Sequence, residues 1–143
     1  MKIRLTIKQR KTTVNKSLDI APIITNYLRK DTDKIDRAKE HFFAIGLKTN
    51  KEIKYIEVVS IGNKKGTIVG ITEVFRRAII DGYIDSIIIC HNHPSENRNP
   101  SAADKKITNS LVTAGKVLEI PVLDHIIVTL HRGFFSFADE GLL

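Results

Sequence analysis

The sequence predicts an α/β or α+β fold, a mixed β-sheet with helices packed on it. Three observations carry that expectation. The run Ser86 to Cys90 reads Ser-Ile-Ile-Ile-Cys, a continuous β-branched stretch typical of a strand buried on both faces. Between Ser101 and Glu119, Ile107, Leu111, Ala114 and Leu118 recur at helical spacing. Strand-like and helix-like segments then follow one another without strict alternation, which favours a layered mixed sheet.

Taken in order, Ile3, Leu5 and Ile7 alternate with Lys2, Arg4 and Lys8, as in a half-buried strand within a basic leading segment, residues 1–16. From Asp19 to Lys30 the residues Ile20, Ile23, Ile24, Tyr27 and Leu28 predict a helix, with Pro22 tolerated in its first turn. The apolar run His41 to Leu47 predicts a buried strand. Lys51 to Ile61 is its partner, joined through Lys48–Lys51, and a basic turn follows at Gly62 to Gly66. Thr72 is placed to cap a short helix with Val74, Phe75, Ala78 and Ile79 inward and Gly82 at its end. Asp85 to His91 is the central strand, and the Pro- and Asn-rich stretch 91–100 is a loop. After the long helix, Pro121 biases Ile120 toward extended geometry. Pro121 to Leu130 forms another strand, and His-Arg-Gly turns the chain into Phe134–Phe137.

With 143 residues, 42% apolar and 27% charged, the chain has the composition of one globular domain, residues 1–143. No apolar run is long enough to span a membrane, and the first residues lack a signal peptide's apolar core. Cys90 is the only cysteine, so no internal disulfide forms and a reducing, cytoplasmic setting is expected. The net charge of +7 is concentrated: six basic groups lie in residues 1–16 with no acidic one, leaving 17 against 16 elsewhere. Such a segment suits weak contact with DNA or simply a solvated strand face, and its alternation favours the second.

Chemistry concentrates between Cys90 and Asp104. His91 and His93 stand two apart where an apolar strand ends, so an extended backbone sends both imidazoles from one face. Two imidazoles at that spacing can meet on one ion, with Asp104 as a third donor and a fourth position left for water. Each piece also has a plainer reading. Ser101 and Asp104 fit a helix capping box. Strand alternation points Cys90 to the opposite, core face. His125 reads as a core histidine, or one supporting a ligand, paired with Asp124. His41 and His131 read as surface or strand-end residues. Spacing alone does not choose among Glu40, Glu52, Glu57 and Glu73 as a catalytic carboxylate.

The assembled order, Glu, a long gap, His-x-His, ten residues, then Asp, with Ser three before it, resembles the JAB/MPN (JAMM) metallopeptidase signature. It is most similar to the JAB domain of RadC-like bacterial proteins. His-Asn-His-Pro-Ser at 91–95, Pro-Ser-x-x-Asp at 100–104, Asp-His-x-Ile at 124–127, the Ser-Phe and Gly-Leu-Leu pieces within 136–143, and the opening Glu40–Phe42 carry the match. It spans roughly residue 17 to the end. The resemblance implies a JAB/MPN, cytidine deaminase-like architecture. It also implies Zn2+ held by His91, His93 and Asp104, Glu40 acting on the water, and Ser101 hydrogen-bonding the oxyanion. The implied activity is a zinc metallopeptidase or isopeptidase that hydrolyses an amide bond in a peptide or protein substrate. Rival expectations are a nucleic-acid-associated protein of DNA repair or mobile elements, drawing on the basic segment, Lys64–Lys65 and Arg76–Arg77, and a non-catalytic JAB scaffold. Two departures stand out: Glu96 replaces a family glycine, adding a carboxylate that would repel acidic substrates. The helix-hairpin-helix module usual in full RadC proteins also has no room in 143 residues, so a DNA role borrowed from it is not implied.

Overall fold

The computed structural model describes residues 1–62 and 69–143; most of the basic turn expected at Gly62 to Gly66, Lys64–Lys65 included, lies outside the described residues. Five strands form one mixed sheet: β1 (His41–Leu47), β2 (Ile53–Ile61), β3 (Ser86–Asn92), β4 (Val122–Val128) and β5 (Phe134–Ser136), in the order β2-β1-β3-β4-β5. All neighbours pair antiparallel except β3 and β4, which are parallel. The fold is α+β, a mixed sheet flanked by helices, as the sequence predicts, and it is consistent with a JAB/MPN fold.

Alternation along β1 divides the core into two layers. Phe43, Ile45 and Leu47 join Ile56, Cys90, Ile126 and Val128 on one face, covered by Ile24 and Leu28 of α2 (Ala21–Lys30) and by Ile20, which caps that helix. Phe42 and Ala44 join Ile87 and Ile89 on the other. Val74, Phe75 and Ala78 of α3 (Ile71–Asp81) and Leu111 of α4 (Ala102–Leu118) cover that second face. The parallel pair is joined through α4, and Gly115 allows the close approach this needs. A Cβ there would stand 2.6 Å from the Ile120 carbonyl oxygen. Gly82 ends α3 in the left-handed region at φ 78°, as expected.

Several expectations change. Residues 1–16 form no continuous strand: isolated bridges pair Lys2 with Glu57 and Thr13 with Glu52, and a short helix α1 (Ile7–Arg10) intervenes. Thr6 caps it with Gln9, and that local box outcompetes the alternating pattern, leaving Ile7 exposed. The segment still covers the outer edge of β2: Ile3 N–H donates to the Ile56 carbonyl at 2.8 Å and Val58 N–H to Met1 at 2.8 Å. Gly70, not Thr72, precedes α3, and Ile79 is 55% exposed. The buried face of α4 is Asp104, Thr108, Leu111 and Gly115, so Leu118 points outward.

Candidate metal centre

Ligand-binding sites in sheets of this kind form beyond the carboxyl ends of parallel strands. Here β3 ends in His91 and Asn92, beside the end of β4, and the 93–100 loop leads directly into α4. His93 stays in register just past the strand, its N–H donating to the Val128 carbonyl at 3.0 Å. Asp104 sits in the first turn of α4. It makes the capping box with Ser101: Asp104 N–H donates to Ser101 Oγ at 3.0 Å, and Ser101 N–H to Asp104 Oδ2 at 2.8 Å. The cap and the metal reading are therefore compatible, because capping fixes the carboxylate that faces the histidines.

The three side chains converge. His91 Nε2 lies 3.0 Å from His93 Nε2 and 3.2 Å from Asp104 Oδ1, and His93 Nε2 lies 3.1 Å from Asp104 Oδ2. Donors bound tetrahedrally at about 2.0–2.1 Å stand about 3.3 Å apart, so the spacing suits one small ion. His91 is buried at 1% exposure beneath the Phe42 ring, which stacks on it with centroids 5.7 Å apart.

Hydrogen bonding fixes which atoms face the centre. Thr108 donates its single hydroxyl proton to the Asp104 carbonyl at 2.6 Å, so it accepts from His125 Nδ1 at 2.6 Å. Burial first, then repulsion from His91, pushes the pKa of His125 well below its ordinary value, keeping it neutral. Its Nε2 is then an acceptor, and His91 Nδ1 donates to it at 2.7 Å. His93 Nδ1 donates to the Asn97 carbonyl at 2.6 Å. Both Nε2 atoms therefore present bare lone pairs to a carboxylate. Three acceptors at hydrogen-bond distance require a cation between them, a proton or a metal ion.

The titration of the cluster expresses the same demand. Burial lowers the affinity of His93 for a proton, but bonds to Asp104 and Asn97 and the nearby Asp104 and Glu40 charges outweigh it and raise the pKa. Burial likewise opposes ionisation of Asp104, yet the histidines and the Ser101 N–H hold its carboxyl far below the ordinary range.

Glu40 stands just outside this set, its Oε1 3.9 Å from His91 Nε2. Asn92 fixes the backbone on either side of it. Asn92 Oδ1 accepts from His41 N–H at 2.6 Å, and its Nδ2 donates to the Lys39 carbonyl at 3.0 Å. Ser101 lines the same cleft, of about 890 Å³, with Glu40, His93 and Asp104. All five residues singled out in the sequence thus meet in one place. Sequence reasoning missed Asn92 and Thr108; a polar side chain between two histidines, and another one turn after Asp104, were the available signals.

A RadC-like JAB domain model matches residues 15–142. The chain belongs to the RadC-like JAB domain family. A UPF0758 protein of Chlorobium chlorochromatii is 43% identical over 108 residues, 76% of this chain and 48% of the relative. One from Pelodictyon phaeoclathratiforme is 38% identical over 130 residues, 91% of this chain and 57% of the relative. A third, from Methanosarcina acetivorans, is 42% identical over 108 residues, 76% of this chain and 46% of the relative. The chain spans about half the length of these curated relatives.

The remaining motif pieces of the JAB domain build the wall behind His91. Phe137 stacks on His125 with centroids 4.8 Å apart, and its N–H donates to the His125 carbonyl at 3.0 Å. Asp124 does not pair with the His125 ring, contrary to expectation. Its carboxylate accepts from the Ser136 hydroxyl at 2.6 Å and the Ala138 and His125 N–H groups, tying β4 to β5. Cys90 is fully buried on the opposite face, as expected. His41 is the first residue of β1, a strand end as expected but buried, with Nδ1 3.0 Å from the Lys39 carbonyl oxygen, and His131 is exposed at the surface. Glu96 adopts φ 66°, the left-handed conformation a glycine takes easily, and its Oε2 accepts from Leu130 N–H at 2.9 Å.

Proposed function

We propose that this JAB domain is a zinc-dependent hydrolase of amide or isopeptide bonds in a peptide or protein substrate. The observation that carries the reading is the convergence of three acceptor atoms with a carboxylate 3.9 Å from His91 and a serine hydroxyl on the same cleft. His91, His93 and Asp104 would hold the ion. Two imidazoles and one carboxylate suit zinc, since magnesium prefers oxygen donors throughout. When bound, zinc supplies Lewis acidity that polarises a carbonyl and makes water a nucleophile near neutral pH.

The chain's own groups do the rest. Glu40 Oε1 takes a proton from water and returns it to the leaving nitrogen. Ser101 Oγ already accepts from Asp104 N–H, and its own proton has no acceptor among the described residues. That proton is available to an oxyanion in the cleft. Asn92 keeps Glu40 at its station, and His125 keeps the Nε2 lone pair of His91 turned inward.

The test is a screen of peptide-amide, isopeptide and DNA substrates with the purified protein and its Glu40→Gln variant. Amide or isopeptide turnover that falls at least about 10²-fold in Glu40→Gln supports the reading. Cleavage of DNA alone contradicts it. A second reading, weak DNA association, draws on the exposed positions of Lys2, Arg4, Lys8, Arg10, Lys11 and Lys16 along the β2 edge. Binding of that kind falls steeply with salt and disappears when those residues are neutralised. A reducing, cytoplasmic compartment fits a protein whose one cysteine is a buried thiol.

A further inference from the structure

The loop that carries His93 also builds a second cavity. Of about 800 Å³, it is lined by Ser95, Glu96, Asn97, Arg98, Asn99 and Arg132. Ser95, Asn97 and Asn99 line the metal cleft as well, so the two spaces share this loop as a wall. Its two cations come from separate segments that the structure ties together. Arg98 belongs to the 93–100 loop. Arg132 belongs to the turn after β4, closed by the Thr129 hydroxyl, which donates to the Gly133 carbonyl at 2.6 Å and accepts from Arg132 N–H at 2.9 Å. Glu96 joins loop and turn through its bond to Leu130 N–H.

Charge in this cavity runs opposite to what the sequence suggests. Among the described residues that line it Glu96 is the only carboxylate, and Oε2 is already engaged by the backbone of the turn. Arg98 and Arg132 make no ion pair among the described residues. The Arg98 guanidinium rests against Gly133: a Cβ added there would stand 3.1 Å from Nη1. Two uncommitted guanidinium groups beside one committed carboxylate leave a net cationic cavity. Planar guanidinium forks match carboxylates in bidentate geometry.

We propose that Arg98 and Arg132 form a carboxylate-binding subsite beside the metal cleft, selecting peptide substrates with an acidic side chain near the bond that is cut. The proposal rests on the hydrolase reading and names its substrate class. A peptide is favoured over a nucleic acid by the lining of the metal cleft itself. Its walls include Val69, Ala103 and Ile107, which suit side chains, and Phe42, the one Phe, Tyr or Trp among its described lining residues, is 2% exposed and offers no stacking platform for bases.

The experiment measures binding, separately from turnover. The full chain, 15N-labelled, is titrated with acetyl-Gly-Gly-Asp-Glu-Gly-Gly-amide, with its Asn-Gln counterpart, and with an oligothymidylate. The same titrations use Arg98→Gln, Arg132→Gln and the double variant; both side chains are exposed, and zinc content and melting temperature are recorded for each. The acidic peptide is expected to shift the Arg98 and Arg132 Nε–H resonances and to bind about tenfold tighter than the neutral one. That preference should vanish in the double variant while zinc and stability stay unchanged. Equal affinity for the two peptides, including no measurable binding of either, overturns the proposal. So does a preference that survives in the double variant, or tighter binding of the oligonucleotide through the same arginines. Failure of the hydrolase reading registers elsewhere, as missing zinc or missing turnover in the unmodified protein.

Discussion

Nδ1 of His91 lies 2.7 Å from Nε2 of His125, and this contact decides which nitrogen of His91 faces His93 and Asp104. The chain of donors runs from His91 to His125, to the Thr108 hydroxyl, to the Asp104 carbonyl. It begins at one proposed ligand and ends on the backbone of another. Thr108→Val keeps the side-chain shape but leaves His125 Nδ1–H without an acceptor, at a cost of about 1–3 kcal/mol. Zinc affinity should weaken about 10–100-fold, as expected when a ligand loses its outer support. Competition with a chromophoric chelator measures it, and unchanged affinity would remove the relay from the site.

The pH dependence follows from His93, whose pKa is raised above 6.5. A proton and a metal ion compete for the same Nε2 lone pair, so zinc affinity should fall as pH drops through that raised value. In the metal-free protein the sign is reversed. Protonated His93 contributes stability that is fully present below the unfolded value and is lost as pH rises through the folded one. Melting temperatures of the apo and zinc-loaded forms across this window should diverge as pH rises. Parallel curves would contradict the assignment of His93.

Asn92 should matter to turnover more than to metal. Asn92→Ala strands the Lys39 carbonyl and the His41 N–H, at about 1–3 kcal/mol for each group. It also frees the backbone that carries Glu40, and misplacement of a catalytic group by about 1 Å can cost 10²-fold. Zinc content should persist while kcat falls. Zinc lost with the protein still folded would show that Asn92 serves the ligands instead.

At Glu96 two effects oppose each other. Glu96→Gly relieves a left-handed backbone but gives up the bond to Leu130, so stability should change by less than about 1 kcal/mol. Glu96→Ala keeps the strain and loses the bond, and should cost about 1–2 kcal/mol. Both should retain zinc. Thermal unfolding separates the two substitutions, and equal losses would show that backbone conformation is not what distinguishes them.

These residues also show what was legible in the sequence. Unbroken apolar runs locate β1 and β3 and helical spacing locates α4, because buried strands and long amphipathic helices impose their pattern over many residues. The His-x-His spacing and the capping box placed the candidate ligands on the right elements. The faces of short or mixed segments were harder. Thr6 and Gln9 form a local cap that interrupts an alternating pattern, so residues 1–16 became bridges around a helical turn. On α4, apolar residues suggest a stripe through Leu118, but the helix turns Asp104 and Thr108 inward, where they meet His91, His93 and His125. Asn92 and Thr108 stand at legible positions, but their partners Lys39, His41 and His125 lie on distant segments, which no spacing encodes. Glu96 holds a left-handed conformation that glycine takes easily, and it ties its carboxylate to the Leu130 N–H, which no local pattern announces.

Metal content tests the central claim most directly. The purified protein should carry about one zinc per chain. His91→Ala, His93→Ala and Asp104→Ala should each lose it, while Cys90→Ser, altered on the opposite face, and Glu40→Gln should keep it. Elemental analysis after dialysis reads all six proteins at once. Full zinc in His93→Ala, or none in the unmodified protein supplied with zinc, would contradict a centre built from His91, His93 and Asp104.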